Sequence, residues 1–260
     1  MNIFLKSSWL KIHLNNFKKI SGVEQNFFLL GKVSQYTGLN LLEYVEELID
    51  REFLITRFEE IVKNEPNFET KKFQNIFDFR FFRIILYCLM RAIKPDNVVE
   101  TGIMHGLSSG FILAALEKNG NGTLHSIDAP SFFETGPINQ DGYQETLPPG
   151  RKPGWIVPNS LRKLWDLRLG KSRELLPKLS KEVKSWDFFC HDSEHTYENM
   201  SFELNIAWDA LKNGGILICD NIEANNSFKD FCKKIKKDPL LLEAPNRTFS
   251  NLLRFGLIVK

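Results

Sequence analysis

The sequence predicts a doubly wound α/β domain with a mainly parallel sheet, preceded by a helical extension. Three observations carry this. From residue 97 onward, short apolar runs alternate with helix-like segments: NVVETGI, TLHSIDA, WDLRLG, WDFFCHD, GILICDN, LLLEAP and FGLIVK. Continuous apolar runs mark strands buried on both faces, and their alternation with helices marks βαβ units. The first run ends in a glycine turn with a helix start behind it, and several later runs close on acidic residues.

Residues 1–75 read as the extension, because LNLLEYVEELIDREFLITRFEEIV puts Leu41, Leu42, Val45, Leu48, Ile49 and Phe53 on one helical face. The domain proper is expected over 76–260. It opens with a helix in FDFRFFRIILYCLMRAIKP that stops at Pro95. Residues 129–158 break the rhythm, with Pro130, Pro137, Pro148, Pro149, Pro153 and Pro158 crowded into one stretch. A loop of that length is a lid or binding loop, or else a surface insertion. Phe132, Phe133, Tyr143 and Trp155 favour the lid.

Composition narrows the partners. Of the 260 residues 43% are hydrophobic, enough for one sizeable core with an appendage. Lys and Arg total 34 against 32 Asp and Glu, a balance that argues against nucleic acid or an anionic membrane as the main partner. Cys88, Cys190, Cys219 and Cys232 form no CxxC pair and read as reduced core thiols. With no signal-like or membrane-spanning apolar run, the expectation is a cytoplasmic protein, and the apolar faces of the extension suit a homodimer.

The candidate ligand site starts in VVETGIMHGLSS. Glu100, Gly102 and Gly106 fall at the first strand-to-helix turn, with Ser108 and Ser109 at the helix start. Ligands of open α/β sheets bind at the carboxyl ends of strands, where glycine lets backbone come close and a helix N-terminus receives an anion. A dinucleotide fingerprint would place glycine at Met104, so a ligand with a small carboxylate suits the turn better than a pyrophosphate. Asp128 closes the second run where an acid accepts ribose hydroxyls. Ser172 and Arg173, after the third run, are expected to border an adenine ring.

These residues together resemble a known family. E-T-G-I-M-H-G-L-S, from Glu100 to Ser108, has the E-x-G-x-x-x-G-x-S form of the catechol O-methyltransferase branch of class I methyltransferases. Ile127-Asp128, the segment from Gly170 to Pro177, and the run from Leu211 through Asp220-Asn221 continue the likeness in order. PPGRKPGWIVP and HDSEHTYENMSFELNIAW are more similar to a bacterial group of the same class. The resemblance implies a Rossmann-like methyltransferase fold, with seven strands in the order 3-2-1-4-5-7-6 and the last antiparallel. It also implies S-adenosylmethionine as methyl donor.

At the chemical end, WDFFCHDSEHTYEN delivers Asp192, Glu194 and His195, and GILICDN delivers Asp220 and Asn221. Carboxylates with an amide oxygen suit a hard cation such as Mg²⁺. The resemblance makes Asp192, Asp220 and Asn221 its ligands, with Asp192 beside the cofactor as well. His195 stands where the cousins carry a lysine base, and imidazole suits proton removal near neutrality. Helix capping is the competing role for both aspartates. His191 is expected on the other face of its strand in a structural role, and His105 in a loop contact. A zinc site in HDSEH has the wrong setting, since its two histidines straddle a strand-to-helix junction.

The expected activity is therefore metal-assisted O-methylation of a small hydroxylated molecule or a glycan, with His195 and Asp192 catalytic. A cephalosporin-hydroxylase-like enzyme of the same fold and a non-catalytic relative are the alternatives.

Overall fold

Each apolar run of the sequence becomes a strand: β1 (Asn97–Thr101), β2 (Thr123–Asp128), β3 (Trp165–Leu169), β4 (Trp186–His191), β5 (Leu211–Cys219), β6 (Leu240–Pro245) and β7 (Leu252–Val259). In the computed structural model, which describes residues 23–49, 54–63, 81–129, 147–148, 150–245 and 252–260, they form one sheet. Its order is β3-β2-β1-β4-β5-β7-β6, as the resemblance implies. β7 is antiparallel to both its neighbours, and β1 through β5 are parallel. Chain order reverses about β1, which pairs with both β2 and β4 and so opens a crevice at the carboxyl ends of those strands.

The two faces of the sheet are covered separately, and the strand period of two decides which residue goes where. Val98, Leu124, Phe188 and Ile218 face one apolar cluster, while Val99, Ile127, Phe189 and Leu217 face the other. The second cluster is closed by α6 (Ser172–Glu182), α7 (Tyr197–Ala210) and α8 (Ser227–Ile235), through residues such as Leu176, Met200, Leu204 and Phe231. The first is closed by α4 (Phe81–Ile93), α5 (Leu107–Asn119) and the extension. All four cysteines are free and buried. Among the described residues no helix is long and apolar enough to cross a membrane.

The extension holds α1 (Val23–Thr37), α2 (Val45–Ile49) and α3 (Ile55–Val62). The helical spacing read over residues 39–62 is interrupted: Leu42–Tyr44 is a 3-10 turn, and Leu54 leaves helical geometry at φ −138. Leu41, Val45 and Leu48 still reach the core. The side chains of Ile49 and Phe53 lie outside the described residues, as do residues 1–22, 50–53 and 64–80.

The boundary drawn at residue 75 does not separate two cores, because Leu30, Val33, Val45 and Phe58 share a cluster with α4 and α5. Glu47 adds a polar tie, accepting from the Tyr87 hydroxyl at 2.7 Å and from Arg91 at 2.7 and 2.9 Å. Burial works against this carboxylate, but the Arg91 and Tyr87 bonds outweigh it and hold its pKa low.

Phe58 packs closely on Gly110, the fourth residue of α5, where an added Cβ would stand 2.5 Å from the ring. Gly110→Ala should therefore destabilise the protein by about 1 to 3 kcal/mol through overpacking, although alanine is the better helix former. Denaturant unfolding measures it. In a Phe58→Leu background the same change should become neutral or stabilising, and a full cost there would locate the strain elsewhere.

Candidate active site

The turn after β1 is wedged between two neighbouring strand ends. Thr101 pairs with Ile127 on one side and with His191 on the other. Gly102 takes φ +84, and a Cβ there would fall 1.9 Å from the Asp192 carbonyl oxygen. Gly106 takes φ +94, and its Cβ would meet Gly154 Cα at 2.7 Å. The sequence assigns both missing β-carbons to the approach of a ligand; the structure fills both places with the protein's own backbone.

Between these glycines the loop is held by Asp128, whose Oδ2 accepts from the amides of Ile103 at 3.2 Å and Met104 at 2.7 Å. Met104 itself sits at φ +50. Asp128 is thus a clamp on the turn, a role its strand-end position alone does not reveal. Burial raises its pKa against the lowering effect of the two amides. Among the described residues no partner of its Oδ1 is present. Behind the loop, Gly106 caps α5 without a side-chain bond, so the first-turn amides around Leu107 and Ser108 lack intrahelical acceptors.

Glu100 faces inward. Its Oε1 accepts from the hydroxyls of Ser109 and Ser126, each at 2.5 Å, and Ser126 Oγ takes the Trp165 indole N–H at 2.7 Å. Its Oε2 is buried and has no hydrogen-bond partner among the described residues. Burial pushes this carboxyl up to about 7; the two serines oppose the shift and nearby Asp128 adds to it.

The ends of β4 and β5 meet beside the same turn. The Asp192 amide donates to Thr101 O, and the Asp220 amide to His191 O, both at 2.9 Å. His195 Nε2 lies 3.9 Å from Asp192 Oδ1, and the rings of His191 and His195 meet edge to face at 5.4 Å. Asp220 is buried, with its Oδ1 accepting from the Asn221 amide at 2.8 Å, and Asn221 takes φ +50. Neither aspartate caps a helix: Thr196 caps α7 through the Asn199 amide, and Asn226 caps α8 without a side-chain bond. Among the described residues no group of three or more His, Cys, Asp or Glu side chains is gathered to hold a metal ion.

Glu203 is the residue that sequence reasoning missed. It is wholly buried on α7, 2.7 Å from His191 Nδ1, and accepts from Thr101 Oγ1 at 2.5 Å, Ser193 Oγ at 2.8 Å and Asn199 Nδ2 at 3.0 Å. Burial opposes its charge, but His191 and the hydroxyl donors hold its pKa down to about 2. The available signal was an acid beside Leu204, four residues after Asn199, on the face of α7 that meets the sheet. His191 accordingly has the structural place expected of it.

Ser172 Oγ donates to Asn199 Oδ1 at 3.3 Å and so joins this network, while the Arg173 guanidinium lies 5.5 Å from the Phe202 ring centre. Both therefore contact α7, a direction their spacing after β3 does not show. His105 Nδ1 accepts from Trp155 Nε1 at 2.9 Å, and burial, with Arg83 adding, lowers its pKa to about 4. Backbone bonds from Gly154 to Met104 O at 2.7 Å and from Ile156 to His105 O at 3.3 Å stitch this segment onto the glycine loop. The expected lid over 129–158 thus ends in a docked strap, with Ile156 and Val157 in the core. Residues 130–146 and 149 lie outside the described residues.

Residues 99–222 match the model of a family described as a methyltransferase domain. No protein of curated function matches the sequence significantly. Among solved structures, an O-methyltransferase from Bacillus cereus in complex with S-adenosylhomocysteine (SAH) is 16% identical. The match covers 79% of this chain and 91% of that one, with a TM-score of 0.54. TomG, an O-methyltransferase from Streptomyces achromogenes involved in tomaymycin synthesis and solved with S-adenosylmethionine, is 11% identical. There the coverage is 84% and 95%, and the TM-score 0.54. At these identities the structural likeness establishes the fold.

The elevated Glu100 gives the site a signature in stability. A carboxyl whose folded pKa is about 7 against an ordinary 4.5 stabilises the fold fully below 4.5 and loses that contribution as pH rises through 7. Glu100→Gln, which keeps an oxygen for both serines, should raise stability at pH 8 by about 3 kcal/mol and leave it nearly unchanged at pH 4. Urea unfolding at the two pH values checks this, and an equal effect at both would mean that Glu100 is not the titrating group.

Proposed function

We propose that this chain is a class I S-adenosylmethionine-dependent methyltransferase that moves a methyl group from S-adenosylmethionine to a hydroxyl oxygen of a small acceptor, a reading supported by the methyltransferase-domain match over residues 99–222. The observation that carries the reading is the convergence of the ends of β1, β2, β4 and β5 on one turn, bringing Asp128, Asp192, His195 and Asp220 to a single edge. The first-turn amides of α5 suit the donor's carboxylate. Asp128 holds the turn with Oδ2 and offers Oδ1 to the ribose.

His195 is the base in this reading. It takes the acceptor's proton, the acceptor oxygen attacks the methyl carbon, and the carbon–sulfur bond breaks with its electron pair passing to sulfur. The products are the methyl ether and neutral SAH. Asp192, 3.9 Å from His195 Nε2, favours the imidazolium that proton transfer creates. Trp155, tied to His105, keeps water from the donor side of the turn.

A divalent cation is the finer part of the proposal. Asp192, Asp220 and Asn221 supply two carboxylates and an amide oxygen, a donor set that suits a hard ion retaining most of its waters. Bound there, such an ion would acidify the acceptor hydroxyl.

Calorimetry with SAH and with NAD tests the donor. Wild-type protein should bind SAH and not NAD, and Asp128→Ala should weaken SAH by about 1 to 3 kcal/mol. NAD binding without a response to SAH would overturn the reading. Methyl transfer with and without chelator tests the ion: Asp192→Asn and Asp220→Asn should lower turnover far more than SAH affinity. Full activity in chelator with wild-type rates for both variants would leave the reaction to His195 and proximity.

A further inference from the structure

A groove of about 790 Å³ runs between α8 and the β6–β7 edge of the sheet, and nothing in the reaction above uses it. Its walls carry Lys229, Lys233, Lys236, Lys237 and Arg254 against two acids, Glu223 and Asp238. Lys229 and Lys233 stand one turn apart on α8, and Lys236 and Lys237 continue the basic row past its end. Cations at a helix C-terminus complement the macrodipole, which accounts for the last two without any ligand. It does not account for Lys229, which lies in the first turn, where positive charge is disfavoured.

The groove adjoins the proposed acceptor site. Its wall begins at Ile222 and Glu223, directly after Asp220 and Asn221. Asn225 lines it too, and donates from Nδ2 to the backbone carbonyl of His195 at 2.9 Å. The charge is carried chiefly by lysine, since Arg254 is paired with Glu243 at 2.8 Å. A row of ammonium groups suits a multiply charged phosphate. Lys233 lies 3.5 Å from Asp230, an exposed pair of little strength.

We propose that this groove holds the phosphate of the methyl acceptor, which makes the acceptor a phosphorylated sugar or a comparable small phosphate ester. The inference rests on the methyltransferase reading for what happens at His195, but its binding test does not require turnover. The probes are glucose 1-phosphate and orthophosphate, titrated by calorimetry into protein already holding SAH.

Wild type should bind glucose 1-phosphate saturably and more tightly than orthophosphate, with affinity falling as KCl is raised. Lys229→Glu with Lys233→Glu should weaken that binding about tenfold or more while SAH affinity stays unchanged. The same two charge reversals at Lys178 and Lys181 on α6 should have little effect. Equal affinity in the Lys229/Lys233 variant, orthophosphate binding as tightly as the sugar phosphate, or no saturable binding to wild type would each overturn the proposal. Failure of wild type to bind SAH would instead count against the methyltransferase reading.

Discussion

The close approach of Gly102 to the Asp192 carbonyl is the constraint on which the site depends. Because the end of β4 occupies the place of a β-carbon, the chain after β1 must turn at a positive φ. That turn carries the Ile103 and Met104 amides to Asp128 and sets Gly106 against the strap at Gly154. Four elements distant in sequence are thereby fixed about one loop. A side chain at residue 102 would displace the Asp192 end of the site together with the Asp128 end, since both lean on the same backbone contact.

Two buried glutamates near this loop show how environment sets charge. Glu100 and Glu203 are both fully enclosed, yet one is pushed up to about 7 and the other held down to about 2. The difference is His191. Hydroxyl donors alone do not offset the burial of Glu100, while an imidazole at 2.7 Å from Glu203 does, with Thr101, Ser193 and Asn199 satisfying the rest of the carboxylate. The Glu203 cluster joins β1, the β4 end and α7, and so holds from behind the strand that presents Asp192 and His195.

The extension contributes to the same arrangement from the opposite face of the sheet. Phe58 packs on Gly110 of α5, the helix whose N-terminus follows the glycine loop, and Glu47 ties the extension to α4. Its role in the described residues is to back the helix that follows the glycine loop. The strap from Gly154 to Val157 bonds to the loop directly, and its Ile156 and Val157 share a cluster with the extension, so the turn is backed by segments that are far apart in the chain.

The sequence by itself determined the seven strands, their alternation with helices, the glycine turn and the acidic strand ends, because these follow from local period, turn chemistry and the placement of polar residues at the ends of apolar runs. Sheet order came through the resemblance carried by the motif from Glu100 to Ser108. Only the tertiary structure decided what each polar group touches. Asp128 clamps the loop, Glu100 turns inward, Ser172 and Arg173 lean on α7, and Trp155 is docked on His105. Glu203 was invisible beforehand because its partners come from β1, β4 and its own helix, brought together only by the crossover that lays α7 on the sheet. Periodicity says which face of an element is buried, but the partner of a buried polar atom is set by the register of other strands, and that is a property of the assembled sheet.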